Sequence, residues 1–537
     1  MKKIISLLVT VIFAFLYFYI TLPAINLQAE EFYVFLLLIL AVYVTLEIAL
    51  NSPKILTDTS GYFRYIKQHA KIPFFIAVAL IAVLFAGPVL SWELFRASAY
   101  KNLLTVTDGN FTEDITEISY EQIPTLDRDS ASILGDRKLG ELSDMVSQFE
   151  VASNYTQINY QGKPVRVTPL SYGDVIKWFT NQKNGIPAYI ILDMVTQEVD
   201  VVRLENGIKY SQSEIFNRKL ERYIRFKYPN FMFDAATFEI DENGTPYWIC
   251  PKIVKKIGIF GGTDIEGAVL VNAITGETAY YTDVPSWVDR VYNSDLIIQQ
   301  YDYHGAFVNG FWNSMFGQRD VTETTFGSNY IALNDDVYLY TGITSVGGDQ
   351  SNIGFILSNQ RTKETKFYPV AGATERSAMS SAEGIVQHLN YTATFPLLLN
   401  VSSQPTYFIA LKDNAQLVKM YAMVNVAQYQ IVATGTTVEE CEAEYIRLIK
   451  QKNIITDDVS QNTTLNGVIT DIRTAVKEGN TYYYLKLDTS PNYYSISATQ
   501  YEPVVTFNIG DTVTLEYLPS TTNIYTIYQI TKIPQTI

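Results

Sequence analysis

Residues 73–95 read PFFIAVALIAVLFAGPVLSWELF. The run carries no charge before Glu93 and is as long as a bilayer-spanning helix needs to be, roughly 20 residues. Everything ahead of it is apolar enough to be membrane, and everything after it, Arg96 to Ile537, reads as folded, water-soluble protein. Two further apolar runs, Ile4–Ile25 and Phe32–Leu50, precede it. Met1-Lys2-Lys3 before an apolar stretch is also the pattern of a secretory signal. This apolar core is longer than a usual signal core, and the next run follows after only Asn26–Glu31, so a retained first span is expected. The expected anchor is therefore residues 1–100, with three transmembrane helices.

Short loops set the orientation. Asn26–Glu31 has two Glu and no Lys or Arg, whereas 51–72 carries Lys54, Arg64, Lys67 and Lys71. Positive charge stays in the cytoplasm. The amino terminus and the 51–72 loop are thus expected inside, and the large carboxy-terminal part outside. The anchor carries seven Lys/Arg against five Asp/Glu, the remainder 33 against 50, and the chain as a whole a net −15. An acidic body repels nucleic acid, so nucleic-acid partners are not expected. The expected partners are the bilayer and an envelope protein or wall polymer. Cys250 and Cys441 both fall in the exported part. Export permits their pairing, while their apolar surroundings suit lone buried thiols. No metal or cofactor motif is present; Gly258-Ile-Phe-Gly261-Gly262 lacks the Lys-Ser/Thr of a phosphate loop and reads as a turn between strands.

The exported body begins with a membrane-proximal α+β segment, 101–187. Asp127, Arg128, Asp129, Asp136 and Arg137 crowd five charges into it and are the candidate binding residues. Gly135-Asp136 reads as a turn there, with Leu139, Leu142, Val146 and Phe149 at helical spacing. Gln161-Gly162 marks a hairpin and Asp174–Thr180 a short helix. Two copies of one pattern are then expected at 188–282 and 353–455, separated by a connecting segment, 283–352. Each copy opens with a strand, a turn holding Thr and Glu (Thr196/Glu198, Thr362/Glu364) and a strand. A helix follows, read as capped by Ser211/Glu214 or Ser380/Glu383 and stopped at Tyr228-Pro229 or Phe395-Pro396. Thr437 and Glu440 cap one more helix, to about Gln451. After a polar linker, Thr456–Asn462, residues 463–537 alternate as five short strands with Val468, Ile472, Leu485, Leu487, Val513, Leu515 and Ile527 facing inward.

The first copy resembles the PepSY family, through the helix ending Tyr228-Pro229, the turn at Asn243-Gly244 and the closing strand Val271-Asn272-Ala273-Ile274-Thr275-Gly276-Glu277. That resemblance implies a helix on an antiparallel sheet in an exported protein, often one that inhibits or regulates peptidases, and implies no catalytic residue. The second copy has Val424-Asn425-Val426-Ala427 in place of the Thr-Gly-Glu turn. The 463–537 segment is similar to a small OB-fold-like β-barrel. The expected fold class is a membrane-anchored multidomain chain, three spans followed by tandem helix-on-antiparallel-sheet units and a small β-barrel. The expected function is non-enzymatic, a binding or scaffold module in cell-envelope assembly, maintenance or regulation, with no cofactor. The alternatives are an envelope hydrolase or transferase using Asp127, Asp129 and Asp136 for acid–base work, and an accessory subunit of a transporter or sensor.

Overall fold

The computed structural model describes residues 2–51, 71–115, 117, 123–333, 335–347, 351–452, 454, 463–477, 480–499, 501–517 and 524–533. The positive loop around Lys54, Arg64 and Lys67, the Thr456–Asn462 linker and the turn at Glu478-Gly479 lie outside the described residues. Three helices, α1 (Lys2–Thr21), α2 (Glu30–Asn51) and α3 (Lys71–Leu90), are long and apolar enough to cross a membrane. The chain then continues through α4 (Glu93–Lys101), β1 (Val106–Asp108) and α5 (Phe111–Asp114) into a body of several antiparallel sheets.

That body repeats one unit four times rather than two. The first unit is α6 (Arg128–Gly140), β2 (Phe149–Val151), β3 (Thr156–Tyr160), β4 (Lys163–Tyr172), β5 (Ile186–Asp193) and β6 (Val199–Ile208), with a short helix, α7 (Val175–Asn181), inserted between β4 and β5. The second is α8 (Leu220–Lys227), β7 (Met232–Phe233), β8 (Thr237–Ile240), β9 (Pro246–Ile257), β10 (Gly261–Asn272) and β11 (Thr278–Tyr281). The third is α9 (Ser294–Ala306), β12 (Thr322–Thr324), β13 (Asn329–Leu333), β14 (Asp336–Ser345), β15 (Asn352–Asn359) and β16 (Thr365–Tyr368). The fourth is α10 (Glu375–Ile385), β17 (Thr392–Ala393), β18 (Leu397–Val401), β19 (Gln404–Lys412), β20 (Val418–Asn425) and β21 (Val432–Gly435). In every unit the third strand pairs with the first, second and fourth, and the fourth pairs with the fifth. Identical pairing in four sheets is a stronger sign of repetition than any shared motif.

The sequence-based boundaries therefore cut through sheets. Residue 188 lies in β5, whose Ile190 pairs with Thr168 of β4, and residue 353 lies in β15, whose Phe355 pairs with Gly342 of β14. The strand–turn–strand pattern that looks like a beginning is the end of the preceding unit. Residues 101–187 and 283–352 accordingly hold the helices and first strands of units one and three.

What makes the pattern legible is a shared loop after the fourth strand. In Asp193–Glu198, Asn272–Glu277 and Asn359–Glu364 the first side chain accepts backbone N–H groups two and three residues on, at 2.8–3.0 Å. The Thr hydroxyl then accepts the Glu N–H at 3.2–3.3 Å. The residue between them is left-handed in each loop: Gln197 at φ +62°, Gly276 at +75° and Lys363 at +66°. The side chain thus holds the turn that the backbone must make.

The helices differ from their sequence signals. Ser211 lies outside α8, and Glu214 is buried, accepting the Tyr172 hydroxyl at 2.9 Å and the Trp178 indole N–H at 2.8 Å. The cap of α10 is Thr374, at the Ser377 N–H, so Ser380 and Glu383 sit inside the helix, and α10 ends well before Phe395-Pro396. Leu220, Ile224 and Val386 are buried, whereas Phe216, Ile385 and Leu389 are exposed. Gly135-Asp136 is mid-helix, with Gly135 against the Tyr155 hydroxyl; a Cβ there would have no room. Tyr228 does end α8, and α11 (Val438–Gln451) has the expected Thr437 cap, closed by Glu440 accepting the Thr436 N–H.

The units share cores in pairs. One apolar cluster joins units one and two, running from Leu126 and Ala131 through Trp178 to Trp248, Cys250 and Val271; a second joins units three and four and includes the α11 face Cys441, Tyr445 and Ile449. Both cysteines are free and buried, and burial pushes both thiols up. Unit two also sits on the anchor. The Arg222 and Arg225 side chains donate to the Tyr19 and Leu22 carbonyls, Ile25 N–H to Pro229 O, and Gln28 to Lys255 O. At the end of α3, Ser91 Oγ accepts the N–H groups of Ile259 and Phe260, so the Gly258–Gly262 turn is a docking loop. Beyond α11, β22 (Thr463–Lys477), β23 (Asn480–Leu487), β24 (Tyr493–Ser497), β25 (Thr512–Tyr517) and β26 (Ile524–Lys532) pair in the closed order β22-β23-β24-β26-β25 around their own apolar cluster. Leu485, Leu487, Val513, Leu515 and Ile527 are buried there. A register shift between Ile469 and Asp471 turns Ile469 inward, leaving Val468 and Ile472 half-buried.

Candidate functional site

The segments leading into the second strand of each unit converge. Residues 154–156, 235–237, 328–330 and 394, 395 and 397, equivalent positions in the four repeats, line one cleft of about 540 Å³. Such a volume suits a small organic ligand, and the boundaries between packed units are a usual place for one. Units one and three add their helix starts, Asp127-Arg128 and Asn293–Asp295, which place the positive ends of two 13-residue helices at the cleft. The fourth unit contributes an apolar wall of Phe395, Leu397, Phe408 and Ala410, extended by Met194 and Leu126.

Besides Arg128, two guanidiniums stand in this cleft. Arg166, on β4, is 6% exposed; its Nε has no hydrogen-bond partner, and its hydrogen bond to Gln157 Oε1 is 3.5 Å long. Arg290 packs its guanidinium over the Tyr330 ring at 4.5 Å and donates to the Tyr330 hydroxyl at 3.2 Å, its Nε likewise unpartnered. Among the described residues no carboxylate lies within ion-pair distance of either. Burial, then the like charge of Arg290, lowers Arg166 to about 10. Burial alone would raise the Tyr330 phenol, but the Arg290 guanidinium beside it holds it below its ordinary value.

Of the five residues singled out from the sequence, Asp127 and Arg128 reach the cleft. Asp127 caps α6 at the Ser130 N–H and pairs with Lys412 at 2.6 Å, which outweighs its burial and keeps its carboxyl below the usual range. Arg128 donates to Ser153 O at 2.8 Å. Asp129, Asp136 and Arg137 lie on the exposed face of α6, and burial and the neighbouring Glu150 raise Asp136. No two of these carboxylates face each other across the cleft, as paired acid–base work would require. His304 is held by the Lys101 carbonyl, 3.2 Å from Nδ1, and burial lowers its pKa.

Sequence reasoning missed Arg166 and Arg290. Arg166 stands in the alternating run KPVRVTP, where a charged residue reads as facing solvent, and the packing of β4 against β8 and of β3 against β13 and β14 encloses it in the cleft wall. Two signals were available: an arginine between two valines of a ten-residue strand, and a net charge of −15 against which basic residues in one place stand out. The chain matches no model of a known protein family, and no curated protein matches its sequence.

Proposed function

We propose that this is a non-enzymatic, membrane-anchored extracytoplasmic protein of the cell envelope, and that the cleft between its four units binds its ligand. The observation that carries the reading is that equivalent segments of all four repeats build the walls of one cleft. A repeat protein gathers its binding surface this way, each unit supplying one strip. Helix-on-antiparallel-sheet units, four times over, support the PepSY resemblance, and the five-stranded ring at the carboxy terminus supports the OB-like one. The contacts of unit two with the α1–α2 turn and with Ser91 support the expected topology, in which that turn and the body share one side of the membrane.

Two experiments test this. Cysteine at Ser60 should resist a membrane-impermeant thiol reagent in intact cells while cysteine at exposed Glu242 reacts; the opposite pattern overturns the orientation. A photoreactive amino acid at Asn154 or Ser328, on the cleft wall, should give a discrete adduct in cells, and the same group at Asn243 should not. Adducts at Asn243 alone would move the binding surface elsewhere.

A further inference from the structure

The charge of the cleft runs against the charge of the chain. A body with a large excess of acids puts Arg128, Arg166 and Arg290 and two helix N-termini around one space. Two acids share it. Asp127 is neutralised by Lys412, and Asp295 is an exposed residue in the first turn of α9. A surface arginine needs no partner, because water solvates it. Arg166 is different. It is nine-tenths buried, its Nε is unpartnered, no carboxylate among the described residues is in ion-pair contact with it, and the like charge of Arg290 acts on it more strongly than Tyr330 or the Lys412-paired Asp127. Burying a cation without a counter-ion is costly, and the hydrogen bond that Arg166 donates to Gln157 is long, at 3.5 Å. A charge held at that cost, in the wall of a cleft, is a charge waiting for its partner.

Resting on the reading of this cleft as the ligand site, we propose that it takes an anionic oxygen group, a carboxylate or a phosphate, carried on an apolar body. Arg166 and Arg290 are the counter-ions. Planar guanidiniums bind both groups through two parallel N–H donors, and the helix starts at Arg128 and Ser294 add favourable dipoles. The Tyr330 hydroxyl, which accepts from Arg290 and donates to Ser294 Oγ at 3.1 Å, fixes the Arg290 plane. The apolar wall of Phe395, Leu397, Phe408, Ala410 and Met194 takes the rest of the ligand. An inorganic anion alone would leave that wall unused.

The test uses the detergent-solubilised full chain and three probes of one shape: phenyl phosphate, phenylacetate and neutral 2-phenylethanol. Calorimetric titration should show at least one anion binding roughly tenfold or more tighter than the alcohol, the discrimination expected of charge-assisted hydrogen bonds. Arg290→Gln, at a half-buried position, and Arg166→Met should each abolish that preference. Without ligand, Arg166→Met should melt no lower than the wild type, since it removes a buried unpaired charge. If the alcohol binds as well as the anions, the cleft remains the ligand site but the charge assignment fails. If no probe binds and photoadducts at Asn154 and Ser328 are also absent, the cleft itself is not the site. If Arg166→Met melts well below the wild type and the anion preference survives in Arg290→Gln, both arginines are structural and the proposal is overturned.

Discussion

Beside the cleft, two acids are buried against each other. Glu239 accepts the backbone N–H groups of Asp289 and Arg290, at 2.8 and 3.1 Å, and the Asp289 carboxylate accepts the Asn159 N–H at 2.6 Å while its other oxygen has no partner. Burial pushes Glu239 up to about 7, against its hydrogen bonds and the charge of Arg290; burial and then Glu239 raise Asp289, with Asp335 and Asp336 adding like charge. Acids raised on folding hold stability that is complete below the unfolded value, roughly 4, and is lost as pH rises through the folded value. The chain should therefore melt higher at pH 6.5 than at pH 8, with Glu442, which burial pushes up to about 8, adding a slope of the same sign that Asp289→Asn leaves in place. That window lies above the titration of His304, whose lowered pKa works in the opposite direction, and far above the carboxylates held low, such as Asp127. Asp289→Asn should flatten the slope and raise the melting temperature at pH 8. A melting temperature that climbs between pH 6.5 and 8, or a slope unchanged by Asp289→Asn, would show that the pair does not ionise there. Neither acid was legible in the sequence. Glu239 stands in the alternating TFEI of β8 and reads as outward-facing until unit one covers it.

At the scale of elements, the repeat was partly legible because its loops carry chemistry. The Thr-x-Glu pairs of two loops and the Thr-Gly-Glu of a third belong to one turn, and each sits three residues after an Asp or Asn. Phase and number were not legible. Strands one and two of each unit are only two to five residues long, α7 interrupts the first unit, and the fourth loop keeps Asn425, accepting the Gln428 N–H at 2.8 Å, but has lost Thr and Glu. The shared left-handed position allows a paired test. Gly276 there has its Cα against the Tyr210 ring, where a Cβ would collide, so Gly276→Ala should lower stability by more than the roughly 1 kcal/mol that φ alone costs. Gln197 holds the same conformation with a side chain whose amide donates long hydrogen bonds to Thr125 and the Tyr421 hydroxyl, at 3.5 and 3.4 Å, so the relief of φ and the loss of those bonds offset and Gln197→Gly should change stability by less than about 1 kcal/mol. Urea unfolding of both variants reads the difference. Equal losses in the two would mean that the turn tolerates neither change for reasons other than φ.

For the whole molecule, the question is how far the carboxy-terminal ring is independent of the body it follows. Helix α11 stands between them. Its Tyr445 hydroxyl takes part in hydrogen bonds with Thr406 and Asn425 of unit four, at 2.8 and 2.9 Å, and Cys441, Ile446 and Ile449 are buried in the core of units three and four. Toward the ring it offers polar contacts: Lys450 to Glu516 at 3.4 Å and Glu440, which accepts the Tyr482 hydroxyl at 3.3 Å. The ring closes its own cluster around Ile469, Leu485, Leu487, Val513 and Leu515. Two cores joined by polar contacts should melt separately, because cooperativity follows shared apolar burial. Calorimetry of the full chain should show two transitions, and a chain ending at Asp458 should keep the larger one, shifted only slightly. Leu485→Ala should cost roughly 2–5 kcal/mol and lower the smaller transition while leaving the larger in place. A single transition, or loss of the large one on truncation, would mean that α11 carries the ring into the main core. In that case the anchor, the four repeats and the ring would unfold as one body, and the polar seam along α11 would be an internal surface instead of a boundary.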